Sequence, residues 1–433
     1  MSQLAINGGT PVRTKKFPAY RVIGEEEKRE VMRVMDSGIL SRYLGCWHQD
    51  FYGGPEVQAF EKEWGEYFGV KHAIAVNSCT SGLQCAVGAI GVDPGDEIIV
   101  TPYSMSCSAT VPLWYGCIPV FADIEKEYFC LDPKSIEEKI TPRTKAIIVV
   151  DLFGQPYDAD VINAIAKKHG LKVIEDCAQA PLAKYKGRFA GTLGDIGVHS
   201  LNYHKHIHTG EGGMVLTNND ELAEKIRLIR NHAEAVVEEK ETKDLVNMVG
   251  YNFRLTELQA AIGRAQLKKL ESLVKARVAN CEYLASKLSG LPGIKSAKVR
   301  LGSSHVYYQQ VFLFDEKVVG VSRNKFIDAV KEELPATELR ELEGQQIGAG
   351  YVKPLYLMPL FQKRIAFGKN NYPFNLIENN SISYDKGICP VVEKLHEKEL
   401  FTHEFMRPPA TKEDLDDVVL AFKKVYENKS ELI

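Results

Sequence analysis

"KAIIVVDLFGQPYDADVINAIAKKHGLKVIED", residues 145–176, contains one complete strand–helix–strand alternation. Its two apolar runs, 145–153 and 171–176, are hydrophobic at consecutive positions rather than alternating ones. Strands buried on both faces read this way. Between them, Val161, Ile162, Ile165 and Ala166 fall at helical spacing, and Gly170 supplies a helix end. Strand, helix and strand in this order imply a right-handed crossover onto a parallel neighbour, so the fold class is α/β.

Working outward, five more short apolar runs occur at 72–76, 97–101, 118–123, 197–201 and 213–217. Seven strands make a wide sheet. Ligands in such sheets bind beyond the carboxyl ends of the strands, which makes Asp123, Asp151 and Asp176 the first acids to examine. From Leu255 the pattern changes: Leu267, Leu270, Val274, Cys281, Leu284 and Leu288 mark one long helical stripe up to "SGLPG" at 289–293. We therefore expect an N-terminal segment at 1–30, a large α/β domain at 31–265 and a small C-terminal α+β domain at 266–433. The small domain should hold a strand at 306–314, "VYYQQVFLF", and a final amphipathic helix at 412–428 capped by Thr411.

Composition narrows the class of partner. The 433 residues carry 54 Lys and Arg against 57 Asp and Glu, a net charge of -3 that gives no reason to expect nucleic acid or an anionic membrane. No apolar run is long enough to span a bilayer, and "MSQLAINGGTPVR" has no signal-peptide pattern. Nine scattered cysteines without a C-x-x-C pair argue for reduced thiols, against zinc or iron–sulfur ligation, and for a cytoplasmic location. A small-molecule substrate is the expected partner.

The chemistry gathers at "NYHKHIHTGEGG", residues 202–213. In an extended chain His204, His206 and His208 would share a face, but they would lie nearly in line with no fourth ligand nearby, so no metal is expected. The glycines match neither a Walker loop nor a dinucleotide fingerprint, since Val215 takes the last glycine place. What remains is Lys205. Elsewhere "KVIEDCAQA" brings Asp176 to a strand end, and "VNSCTSGLQCAVGAIG" at 76–91 brings small and hydroxyl residues to a helix start, where backbone N–H groups can hold a phosphate. Each feature alone has a bland reading, as a solvated charge, a loop anchor or a helix cap. Together they supply an amine, a carboxylate and a phosphate turn, the groups that pyridoxal phosphate requires.

At this point the chain resembles the DegT/DnrJ/EryC1/StrS family of sugar aminotransferases. The resemblance is carried in family order by "GGPEVQAFEKEWGEYFGVKHAIAVNSCTSGL" (53–83), "GCIPVFADI", "VDLFGQP", "VIEDCAQA", "GDIGVHSLNYHKHIHTGEGG", "VGYNFRLTELQAAIG" and "CPVVEKLHE" (389–397). It implies an aspartate-aminotransferase-like fold with a seven-stranded, mostly parallel sheet, and a homodimer. It implies that Lys205 binds pyridoxal 5'-phosphate as a Schiff base, that Asp176 pairs with the ring nitrogen and that Gln179 lies beside the phenolic oxygen. Thr80, Ser81 and Ser200 fall where the family holds the phosphate, and Asn252 falls where the second subunit reaches it. The implied reaction moves an amino group from glutamate or glutamine to a keto-sugar, nucleotide-linked or not, or to a keto-cyclitol.

The sequence departs from the family pattern at two cofactor positions. Met105 stands where an aromatic ring usually stacks on the cofactor, so either its sulfur and methylenes pack there or Tyr103 takes over, and Cys79 stands where glycine is usual. The stretch 40–53, "LSRYLGCWHQDFYG", is longer and more aromatic than the family's link, and we read it as a substrate-contacting loop. Rival readings are a sugar dehydratase on the same cofactor, for which the family uses histidine in place of the lysine, and a cofactor-binding regulator without turnover.

Overall fold

The computed structural model describes residues 3–378 and 381–433. Seven strands form the main sheet: β1 (His72–Val76), β2 (Glu97–Val100), β3 (Ile118–Phe121), β4 (Thr144–Val150), β5 (Lys172–Asp176), β6 (Ile196–Ser200) and β7 (Gly213–Thr217). Their order across the sheet is β1-β7-β6-β5-β4-β2-β3. All neighbours are parallel except β7, which runs against both β1 and β6. The carboxyl ends of β1, β4, β5 and β6 therefore share one edge with the start of β7. Every residue of β2, β3, β6 and β7 is buried, as consecutive apolar runs require.

Helix α1 (Cys79–Ala89) leaves β1 after a two-residue turn. Helix α2 (Ala159–His169) is the crossover between β4 and β5. Asp158 caps its start, Lys167, Lys168 and His169 fill its last turn, and Gly170 closes it at φ 68°. The register Val150↔Asp176 then aligns the ends of the two strands that this crossover joins. Helix α3 (Asp220–Arg230) packs against α1.

The helical stripe after Leu255 is not one helix. It divides into α4 (Glu257–Leu267) and α5 (Leu270–Leu288). The junction is held on the N-terminal segment: Gln266 Nε2 donates to the Val22 carbonyl at 2.9 Å, and Lys269 Nζ pairs with Glu27 at 2.7 Å. A second, antiparallel sheet follows, made of β8 (Ile294–Ser296), β9 (Gln310–Phe314), β10 (Ile347–Ala349) and β11 (Leu400–His403) in the order β8-β9-β11-β10. Phe312, Phe326, Phe401 and Phe422 fill the core between this sheet and its helices, joined by Leu4 and Phe17 from the start of the chain. The last helix, α6 (Lys412–Glu427), begins at Thr411 with a reciprocal cap from Asp414, as the sequence foretells.

The expected strand at 306–314 also changes. Only its second half is strand, because residues 306–308 spend their backbone bonds elsewhere. Val306 N–H donates to the Gly154 carbonyl at 2.9 Å and Tyr308 N–H to the Phe153 carbonyl at 2.7 Å. These bonds fasten the segment to the turn after β4.

Candidate active site

Asp176 is the last residue of β5 and is 3% exposed. Ser108 Oγ donates to its Oδ2 at 2.6 Å, and the Ala178 N–H donates to its Oδ1 at 3.2 Å. Burial raises its pKa, while Ser108, the Ala178 N–H and the charge of Lys205 pull it back. Lys205 lies in the turn after β6, its Nζ 4.2 Å from the centre of the Tyr308 ring. Among the described residues its amine has no hydrogen bond and no ion pair. Cys79 and Cys107 flank the carboxylate, and burial pushes both thiols up, Cys107 to about 11 and Cys79 well above its usual value. Neither is a thiolate at neutral pH.

The phosphate turn forms as the sequence implies. Ser78 caps α1 by accepting from the Ser81 N–H at 3.0 Å. Ser81 Oγ donates to Asn77 Oδ1 at 2.6 Å and also meets Ser78 Oγ at 2.8 Å, so its hydroxyl is tied into the cap. Thr80 is exposed, and among the described residues no acceptor meets the N–H of Cys79 or Thr80. These groups sit at the positive end of the helix. Gly213 lies between β1 and β6, with Val76 and Ser200 as its partners in register. A Cβ there would come within 2.7 Å of the Ser78 backbone, so only glycine lets β7 start beneath the helix N-terminus. Ser200 ends β6, buried, and accepts from the Asn202 N–H at 3.3 Å.

Gln179 is held at both ends: its Oε1 accepts from the Phe153 N–H at 2.7 Å, and its Nε2 donates to the Tyr351 hydroxyl at 3.1 Å. Phe153 adopts φ 60°, a left-handed conformation uncommon for an aromatic residue, within the turn that also binds residue 308. Met105 is 64% exposed whereas Tyr103 is fully buried, its hydroxyl accepting from the Tyr351 N–H at 2.9 Å. Tyr103 thus belongs to the wall behind Gln179, and of the two alternatives Met105 is the residue left open.

The three histidines do not share a face, because residues 202–208 form turns rather than an extended strand. His206 is fully buried, and its Nε2–H donates to the Val306 carbonyl at 2.9 Å. Burial, helped by Arg277, holds it neutral. His208 Nδ1 accepts from the Gly210 N–H at 3.3 Å, and the His204 ring lies against Tyr203. Among the described residues the one cluster with metal-ligand types is Asp151, Glu175 and Cys177. Burial and the Glu175 charge raise the Asp151 pKa, and Glu175 accepts backbone N–H groups from Gly191 and Leu193 at 2.7 and 3.0 Å. Asn252 Oδ1 accepts from Arg254 at 2.7 Å at the surface. In the 40–53 loop Phe51 is buried, while Trp47 lies 3.8 Å beneath Lys240, which also reaches Tyr52 and Glu224 on α3.

A family model described as the DegT/DnrJ/EryC1/StrS aminotransferase family matches residues 22–400. The chain belongs to this family. It is 34% identical over 411 residues to the spore coat polysaccharide biosynthesis protein SpsC of Bacillus subtilis (strain 168), covering 93% of this chain and 95% of that one. It is 31% identical to the L-glutamine:2-deoxy-scyllo-inosose aminotransferase of Streptoalloteichus tenebrarius, covering 99% of both. Its fold matches the X-ray structure of an aminotransferase from Psychrobacter cryohalolentis with a TM-score of 0.79 at 29% identity, covering 95% of this chain and 99% of that one.

As a member of this family the chain is a pyridoxal-phosphate-dependent sugar aminotransferase. Its residues fit the cofactor: an unpaired amine stands near a buried carboxylate, and unmatched N–H groups stand at a helix start one strand away. When bound, pyridoxal phosphate supplies an aldehyde for the amine and an electron-withdrawing ring. Sequence reasoning missed Ser108, Cys107, Tyr308 and Tyr351. Ser108 and Cys107 lie within "TPYSMSCSAT" (101–110), the stretch read for Met105 and Tyr103, so a signal for them was at hand. The two tyrosines come from far along the chain and have no local signature.

Proposed function

We propose that this aminotransferase takes an amino group from L-glutamate or L-glutamine and delivers it to a keto-sugar, nucleotide-linked or not, or to a keto-cyclitol. The pairing of a polysaccharide-biosynthesis relative with a cyclitol aminotransferase relative, both matched over nearly the whole chain, supports that acceptor range. The observation that carries the reading is the unpaired Lys205 amine beside buried Asp176. Lys205 would hold the cofactor through its aldehyde, and its free amine would carry the proton to and from the donor α-carbon. Asp176 would keep a proton on the ring nitrogen. Gln179 would hold the phenolic oxygen, Met105 and Cys79 would line the ring, and Thr80, Ser81 and Ser200 would hold the phosphate. A lysine at 205, where the dehydratases of the family carry histidine, favours amino transfer.

The reading includes a cytoplasmic homodimer in which Asn252 reaches the phosphate of the partner's site. Exposed Leu245, Val246 and Val249 just before it are the apolar surface such a contact would cover. It also includes a division near residue 265 between a large cofactor-binding domain and a small C-terminal domain, in keeping with their separate sheets. The test is spectroscopic. Adding L-glutamate or L-glutamine to the yellow holoenzyme should bleach it, and the correct ketone should restore the colour. Lys205→Ala should bind cofactor only non-covalently and lose transfer. Normal turnover by that variant would refute the assignment.

A further inference from the structure

Gln179 is held in one orientation. The Phe153 N–H donates at 2.7 Å to one end of its amide, and because a backbone N–H can only meet an acceptor, that end is Oε1. The other end is therefore Nε2, which donates to the Tyr351 hydroxyl at 3.1 Å. An amide nitrogen carries two hydrogens. Among the described residues the second meets no acceptor, although Gln179 is 4% exposed. Buried donors are seldom left unmatched, which makes this hydrogen a binding group.

Both partners of the amide are themselves fixed, and they come from opposite sides. Phe153 lies in the turn after β4 of the main sheet, held at φ 60° with its carbonyl accepting from the Tyr308 N–H at 2.7 Å. Such strain persists only where the surroundings impose it. Gly154 follows at φ 105°, and a Cβ there would lie 3.1 Å from the Gln179 carbonyl oxygen and 2.8 Å from the Tyr307 nitrogen. Tyr351 comes from the segment after β10 of the second sheet. Its ring meets Phe153 at 5.0 Å and Tyr103 at 5.6 Å, both edge-on, and its N–H donates to the Tyr103 hydroxyl at 2.9 Å. Burial raises the Tyr351 pKa, so the oxygen that meets Gln179 belongs to a neutral hydroxyl.

Resting on the cofactor reading above, we propose that Tyr351 is a positioning residue: by taking one hydrogen of the Gln179 amide it turns the other toward the phenolic oxygen of pyridoxal phosphate. A glutamine free to rotate about its last bond would present either end to that oxygen, and its own carbonyl would repel it. Phe153 and Tyr351 together exclude the wrong end. An ionised phenolic oxygen accepts such a donor in a charge-assisted bond. The bond also draws charge from the oxygen and loosens its hold on the Schiff-base proton.

The experiment measures equilibrium binding of pyridoxal phosphate and of 3-deoxypyridoxal phosphate, which lacks the phenolic oxygen, to the full chain freed of cofactor. Gln179→Leu should lower the preference for pyridoxal phosphate about 10-fold and Tyr351→Phe about 5-fold, as for a charge-assisted bond lost or misdirected. In both variants pyridoxal phosphate alone should weaken. The Tyr351→Phe holoenzyme should also stay yellow to higher pH than wild type, since the oxygen then holds the proton more tightly. Equal weakening of both compounds by Tyr351→Phe would mark a merely structural tyrosine and overturn the inference. So would a Tyr351→Phe that keeps the wild-type preference while Gln179→Leu loses it. Should Tyr351→Phe fail to fold, a retained preference in Tyr351→Leu would overturn the inference in its place. A Gln179→Leu with the wild-type preference would overturn the assignment of Gln179 to the phenolic oxygen, and a wild type that binds neither compound would overturn the cofactor reading itself.

Discussion

Ser108 shows how one hydroxyl sets the chemistry of a buried acid. Its O–H is a short donor to Asp176, and such a bond favours the ionised carboxyl over the neutral one. Removing it leaves burial less opposed, so the Asp176 pKa rises and the ionised form is reached only at higher pH. Ser108→Ala should therefore move the acidic limb of the pH–rate profile upward and lower the rate about 10-fold or more at neutral pH, with the melting temperature nearly unchanged. An unmoved limb would show that Asp176 does not govern it. The sequence named Asp176 but not its donor, because strand-end acids follow a topological rule whereas the hydroxyl that reaches them is fixed only by packing.

At the scale of elements, the seven main strands could be read because most are short, largely apolar runs, a signal that needs no tertiary knowledge. The misread segments, 306–309 and the break at Lys268–Lys269, share one cause: in both, the backbone or the flanking side chains bond to residues remote in sequence. The tight fit of β7 under α1 makes its own prediction. Gly213→Ala would press a methyl against the Ser78 backbone, which cannot turn aside as a side chain can. It should cost about 2 kcal/mol of stability by thermal or denaturant unfolding. Cofactor phosphate should also be held less tightly, measured by dialysis at fixed pyridoxal phosphate. A variant with wild-type values in both would show that the strand has room to move.

For the whole molecule, the candidate site draws on both sheets and, in the proposed dimer, on a second chain. Lys205→Ala and Asn252→Leu damage different copies of that shared site. Random assembly of the two inactive variants would put an intact pair into one of the two sites of each hybrid dimer. Co-expression should then recover about a quarter of wild-type activity. No recovery would place Asn252 and Lys205 of one site on the same chain. The family motifs are the source of this proposed partition of roles along the sequence.

The turn after β4 clasps Gln179 on one side and Tyr308 on the other. A ribosome that has released Lys205, Asp176 and the whole main sheet has yet to deliver the tyrosine that lies beneath the amine. Contacts this far apart in the chain close late. During synthesis the nascent protein therefore passes through a stage in which the reactive lysine is already present but its enclosure is not, and capture of free pyridoxal phosphate before termination would meet an open, wet pocket.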